Sequence, residues 1–316
     1  MFLEETTSPF TLFATDFLLC IFYDLAAIKK IGDKKCFSKK LLLLSEKNIC
    51  QMSQRIYQVD AFAREIFSGN PAAVCPLQQW LSDEILQNIA MENNLAETAF
   101  YVKKDDGYEL RWFTPAVEVD LCGHATLAAA FVLFNFENHS ENIIHFYSPR
   151  SGVLTVKKEG KLLTLNFPTD EIKPVELSEE LINAFDIKPQ FAFKGKTDYM
   201  LVFENESQVK DVIANFPAIS KLKARGVIIT AKGDTADFVS RFFAPAVGVN
   251  EDPVTGSAHT SLIPYWSDRL GKNDLSAIQL SPRKGYLQCR YLNDRVEISG
   301  EGKLYLIGEI FLENQK

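Results

Sequence analysis

One stretch of this 316-residue chain is written twice. From Arg111 the sequence runs "RWFTPAVEVDLCGHATLAAA", and from Arg241 it runs "RFFAPAVGVNEDPVTGSAH". Six of the first nine positions agree: Arg, Phe, Pro, Ala, Val and Val. Upstream the likeness continues at an offset of 130, with "ETAFYV", "KKDDG" and "YELRWFTP" set against "GVIIT", "AKGDT" and "DFVSRFFAP". After Val119 and Val249 the second copy carries three extra residues, which pairs Gly123 with Gly256. Two copies, rather than a long array, predict a pseudo-twofold α+β protein of two similar halves.

Local patterns supply the parts of each half. A strand is expected from Arg55, with Ile56, Val59 and Ala61 as its apolar residues, followed by the turn "FSGNPAAV". Ser82 is placed to cap a helix through about Asn93, with Ile85, Leu86, Ile89 and Ala90 at helical spacing. "ATLAAAFVLFNF" is apolar all round and of helical length, so it reads as a buried helix, and "AHTSLIPYW" takes its place in the second copy. The expected halves are 53–172 and 173–316, each wrapping strands about one apolar helix, with the last strand free to cross back.

Composition narrows the function. A formal net charge of −7 leaves no basic footprint, so no nucleic-acid partner is expected. The six cysteines include no C-x-x-C pair, and the four histidines no H-E-x-x-H, so neither a disulfide framework nor a metal site is expected. No Walker loop or G-x-G-x-x-G fingerprint is present. The thiols read as those of a cytoplasmic protein. Residues 1–52 lie outside the repeat and read as an extension that is not part of the fold. Their apolar stretch "FLLCIFYDLAAI" carries Asp24 and is too short to span a bilayer, and Glu4 and Glu5 argue against a secretory signal.

Each Pro-Ala-Val strand leads through a glycine into a helix start, where unpaired N–H groups and the helix dipole favour an anion. Two such starts facing across a pseudo-dyad would hold a carboxylate between the halves. The plainer reading is that the glycines only make tight turns, while His124 and Ser257 only cap their helices. Departures from the repeat favour chemistry. At the offset of 130, Glu97 stands where the other copy has Val227, and Asp252 falls within the three-residue insertion, where it could also form an Asx turn. Glu97, His124, Asp252 and Ser257 together are equipment for proton abstraction beside an activating group. Desolvation near an apolar helix would bring the Glu97 pKa toward neutrality. His259 reads as a packing residue.

At these residues the chain resembles a known family. "YQVDAF", "FSGNPAAV", "NNLAETAFYV", "RWFTPAVEVDLCGHATLAAA" and "EDPVTGSAH" are similar to motifs of the PhzF-like phenazine-biosynthesis isomerases, over about residues 53–316. The resemblance implies a diaminopimelate-epimerase-like fold, two β-barrel-like halves each around a central helix, with the active site in the cleft. It implies a cofactor-independent homodimer acting on a small carboxylated substrate, as in the isomerisation of trans-2,3-dihydro-3-hydroxyanthranilate by one proton-carrying glutamate. Glu97 matches that glutamate. His124, Asp252 and Ser257 match residues that bind and orient the substrate, and Gly123, Gly256 and Asn70 the substrate-binding turns. The alternatives are a two-base racemase of the same fold and a non-catalytic binding or scaffold protein. A racemase places one cysteine in each glycine turn; Cys122 fills the first place, and the second has none.

Overall fold

The computed structural model describes residues 52–312, so the expectation for the N-terminal extension lies outside the described residues, Met52 apart. Ser53–Ile310 forms one compact unit. Its first half contains strands β1 (Met52–Ala61), β2 (Asn70–Leu77), β3 (Glu97–Lys104), β4 (Gly107–Phe113), β5 (Glu118–Val119), β6 (Ile143–Ser148), β7 (Gly152–Glu159) and β8 (Leu162–Pro168). Two helices interrupt them, α1 (Asp83–Asn93) and α2 (Gly123–Phe136). The Ser82 hydroxyl accepts from the Ile85 N–H and caps α1 as expected.

The second half contains β9 (Lys173–Val175), β10 (Phe191–Lys194), β11 (Tyr199–Val202), β12 (Val227–Lys232), β13 (Phe238–Phe243), β14 (Asp274–Gln279), β15 (Gly285–Tyr291), β16 (Arg295–Gly300) and β17 (Gly302–Leu312). Its helices are three short ones, α3 (Glu179–Ile182), α4 (Glu206–Asp211) and α5 (Phe216–Ile219), and the long α6 (Gly256–Leu270).

Strand direction exposes the duplication more clearly than residue identity. In the first half β1–β2 is antiparallel, β2–β3 parallel, β3–β4 antiparallel, β4–β6 parallel, and β6–β7 and β7–β8 antiparallel. The six pairings from β10 to β16 repeat that order of directions without exception. An antiparallel ladder of β8 with β16 joins the two series, and β17 crosses back to pair with β1. Arg283 of the second half adds a link, donating to the Asp60 carboxylate and to the Gly69 carbonyl of the first.

Each series wraps one helix. In α2 every residue from His124 to Ala130 is buried, as are Val132 and Leu133. Leu127 and Val132 alone contribute on the order of 1.5–3 kcal/mol each by leaving water. Helix α6 is amphipathic rather than apolar all round, and it contains Pro264. A proline has no N–H to give the carbonyl four residues back. That carbonyl, on Thr260, instead accepts from the Asp170 N–H at 3.2 Å, which ties the linker between the halves to the wall of the cleft.

The register corrects the uniform offset. Arg111 and Arg241 are true counterparts, because each holds a glutamate in a two-pronged ion pair, Glu118 and Glu251 respectively. Opposite them in the ladder stand Phe100 and Ile229, which are 129 positions apart, not 130. Residues of β3 that face α2, Ala99 and Tyr101, therefore correspond to Ile228 and Thr230, and Glu97 corresponds to Gly226 rather than Val227. The Glu118–Glu251 match also moves the extra three residues to before Glu251. The N–H of Asp252 bonds to the Phe242 carbonyl, as Val119 pairs with Trp112, so Asp252 is the counterpart of Val119 and lies after the insertion.

Candidate active site

The two long helices begin face to face. A Cβ built on Gly123 would lie 3.7 Å from the Gly256 Cα, and the reverse distance is the same. Cys122 and Thr255 occupy the N-cap positions, and neither side chain bonds to its own helix start. Neither His124 nor Ser257 is a cap; each is the second residue of its helix. The uncapped N–H groups open on a cavity of about 580 Å³, whose walls include Glu97, His124, Arg225, Asp252 and Ser257. Four of the sequence-derived candidates, Glu97, His124, Asp252 and Ser257, thus share one cavity with Gly123 and Gly256.

Glu97 opens β3 and reaches the His124 ring, with Oε2 3.1 Å from Nε2. The two atoms are close enough for charge attraction but not aligned as a hydrogen bond, and neither has another partner among the described residues. Both atoms are buried, on side chains that line the cavity. On the other side of the ring Nδ1 stands 3.5 Å from Cys122 Sγ and 3.2 Å from Asn70 Nδ2.

Asn70 sits behind the wall, fully buried, rather than on it. Its amide gives its two hydrogens to Asp252 Oδ1 at 2.8 Å and the Val254 carbonyl at 3.0 Å. That leaves none for His124, so Nδ1 has the Cys122 sulfur, 3.5 Å away, as its partner on that side. Asn70 thus joins the first half to the Asp252 loop of the second behind the cavity wall. Asp252 is held further by the Thr255 hydroxyl, and Gln279 clamps the same loop through the Thr255 N–H and the Asp252 carbonyl.

These contacts set the protonation states, and they overturn one expectation. Burial pushes the Glu97 pKa upward, but the His124 charge outweighs it and holds the carboxyl below its ordinary value. Burial likewise opposes a charge on His124, yet the Glu97 carboxylate beside it keeps its pKa well above 6.5. The carboxylate brought toward neutrality is Asp252, pushed up to about 6 by burial and by the nearby Glu97 charge. Burial lifts the Cys122 thiol to about 11, so it stays protonated at neutral pH. His259 is buried, gives its Nδ1 contact to the Thr255 carbonyl, and is lowered to about 4 by burial, in keeping with a packing role.

Glu97, Cys122 and His124 bring three donor atoms within 4.8 Å of one another, a cluster that sequence spacing does not reveal. Its sulfur and carboxylate approach opposite nitrogens of one imidazole, an arrangement suited to sharing a proton. The sequence reading also missed Arg225, which lines the cavity and donates to Asp198 and to Ser257. The signal for it, the residue before the counterpart of Glu97, becomes visible only with the offset of 129. Among the described residues no helix is long and apolar enough to cross a membrane.

Comparison with known proteins gives a consistent result. The family described as "Phenazine biosynthesis-like protein" (PhzC-PhzF) matches residues 59–307. A Pseudomonas aeruginosa protein named an uncharacterized isomerase is 51% identical over 261 residues, covering 83% of this chain and 100% of its own. Another uncharacterized isomerase, from Halalkalibacterium halodurans, is 45% identical over 265 residues, covering 83% and 100%. The crystal structure of a PhzF-family phenazine biosynthesis protein from Enterococcus faecalis superposes with a TM-score of 0.81 at 49% identity, over 83% of this chain and 100% of that one. Together with the paired seven-strand series around two central helices, these matches make the chain a member of the PhzF, or phenazine biosynthesis-like, family.

Proposed function

We propose that this chain is a cofactor-independent isomerase that moves a proton between two carbons of a small carboxylate, with Glu97 as the carrier. The observation that carries the reading is the pair Glu97 Oε2 and His124 Nε2, 3.1 Å apart and without another partner among the described residues, on two side chains that line the cavity. Held as a carboxylate by the imidazolium, Glu97 can accept a proton from a carbon beside an electron-withdrawing group. The electron pair left on that carbon delocalises into the substrate's conjugated system. Glu97, now neutral, returns the same proton to a second carbon within its reach, so nothing is oxidised or reduced. His124 supports the carboxylate form of Glu97, and Asp252, in the wall of the same cavity, orients the substrate.

The names of the bacterial relatives, both isomerases, support this class of reaction. A two-base racemase finds less support. Thr255 occupies the place that matches Cys122, and Gly226 the place that matches Glu97, so among the described residues neither group has a like counterpart across the pseudo-dyad.

The test is hydrogen exchange in D2O across a panel of unsaturated amino and hydroxy acids, followed by product analysis. Glu97→Gln keeps the side chain's shape but cannot take the proton. Its turnover and exchange should fall by at least about a thousandfold, roughly 4 kcal/mol of barrier, with ligand binding retained. A folded Glu97→Gln protein that exchanges at the wild-type rate would assign the proton to another group.

A further inference from the structure

Matching places in the cleft wall carry different chemistry in the two halves. In the first half the residue that opens β3, Glu97, reaches the second residue of α2, His124. In the second half Gly226 holds the place of Glu97, and its neighbour Arg225 reaches the second residue of α6, with Nη2 2.9 Å from Ser257 Oγ. We infer that Arg225, acting with Ser257, recognises the carboxylate of the substrate and so selects anionic acids, an assignment that rests on the proton-transfer reading above.

Arg225 is built into place rather than left to wander. Its Nε donates to Asp198 Oδ1 at 3.0 Å and its Nη2 to Oδ2, while Asp198 is itself 5% exposed. The guanidinium lies 5.1 Å from the centre of the Phe242 ring. Of its five N–H groups, one on Nε and two on Nη2 are spent on Asp198 and Ser257. The two on Nη1 have no partner among the described residues, and Arg225 lines the cavity.

Ser257 is changed by this contact. Its oxygen accepts from Arg225, which leaves its own O–H free to donate. The wall therefore offers the Arg225 Nη1 hydrogens, the Ser257 hydroxyl hydrogen and the uncapped start of α6, all of them donors. Such a set fits a group with two anionic oxygens, and Arg matches a carboxylate with two parallel bonds. The neighbouring acids do not cancel it: Asp198 is engaged by Arg225, and Asp170 by the Ser261 hydroxyl and the Lys196 N–H. At the other end, Glu97 repels a second carboxylate. An acid therefore enters with its anionic group on Arg225 and its reacting carbons toward Glu97.

The probes are cyclohex-1-ene-1-carboxylate and its primary amide, which share a shape and differ in charge, measured by calorimetry on the full chain. The wild-type protein should bind the acid at least about tenfold more tightly than the amide. Arg225→Gln alone would strand the buried Asp198, so it is combined with Asp198→Asn, which keeps a neutral hydrogen-bonded pair. This double variant should bind acid and amide within about twofold of each other, with amide affinity unchanged. Arg225→Lys keeps the charge on Asp198 but loses the Nη1 hydrogens, and should cut the acid preference at least about threefold; it decides the matter if the double variant fails to fold. An undiminished acid preference in these variants, or none in the wild type, would overturn the assignment. Glu97→Gln should retain the acid preference. If that variant also keeps hydrogen exchange, the proton-transfer reading fails by itself, while the loss of acid preference with Arg225 remains a separate result.

Discussion

Asn70→Ala isolates how much the cleft depends on one amide. The side chain is fully buried and gives its two hydrogens to Asp252 Oδ1 at 2.8 Å and the Val254 carbonyl at 3.0 Å. A hydrogen bond to a charged acceptor contributes about 1.5–3 kcal/mol, and a buried carbonyl left without a partner costs about 1–3 kcal/mol. The two losses together set an expected destabilisation of about 3–5 kcal/mol in urea unfolding. For a chain of this size that corresponds to a melting temperature lower by roughly 6–12 °C. Because both acceptors sit in the second half and Asn70 in the first, the loss should also appear as coupling. A double-mutant cycle with Asp252→Asn should return an interaction energy of about 1–2 kcal/mol. The Asn70 bond lowers the Asp252 pKa, so its removal should raise that pKa above about 6, which carbon-detected NMR titration can follow. A destabilisation below about 1 kcal/mol, or a cycle that closes to zero, would refute the claim that this amide positions the acid.

Four further outcomes follow from the same geometry. Cys122→Ser should keep most activity, since a thiol with its pKa near 11 and no opposed partner is not a proton carrier here; a loss beyond about a hundredfold, roughly 2.7 kcal/mol, in a folded variant would restore the racemase reading. Gly226→Ala should destabilise the protein by about 1–3 kcal/mol, because the new Cβ would meet Phe242 Cζ at 2.5 Å and the Phe243 carbonyl oxygen at 2.7 Å; an unchanged unfolding midpoint would contradict it. Asp252 has a folded pKa raised from 3.8 to about 6, so its contribution to stability is present below pH 4 and is lost as pH rises through 6; between pH 4 and 7 the stability of Asp252→Asn relative to wild type should improve by at most about 3 kcal/mol, and a flat difference would show that Asp252 does not titrate there. Small aromatic and aliphatic acids should bind with unchanged affinity after exhaustive chelation, and calorimetry showing binding abolished by chelation would mean that the Glu97, Cys122 and His124 cluster holds an ion.

The duplicated motif made the architecture legible, because a repeated Arg-x-Phe-x-Pro-Ala-Val-x-Val fixes matching strands and matching helix starts. It also brought Glu97, His124, Asp252 and Ser257 to notice as breaks in the repeat. What it could not show was register. The β3–β4 turn spans two residues between Lys104 and Gly107, whereas β12 and β13 are joined by five between Lys232 and Phe238. A change in turn length shifts one strand against its partner, and a shift of one residue swaps the faces of a strand. That hid Gly226 and Arg225. The direction of the Glu97 pKa was out of reach for a related reason: burial alone argues upward, and only the 3.1 Å approach of His124, from a helix 27 positions later, reverses it.

The β8–β16 ladder has a consequence for how such a protein can be taken apart. Six residues of β16, Arg295–Gly300, pair in unbroken register with Leu163–Pro168 of β8. If the halves were expressed as separate polypeptides, β8 in one and β16 in the other would each present a row of unpaired amides and carbonyls. A bare edge of that kind recruits whatever strand is at hand. In the single chain each edge is held by the other, while one wall keeps an acid and the other a guanidinium.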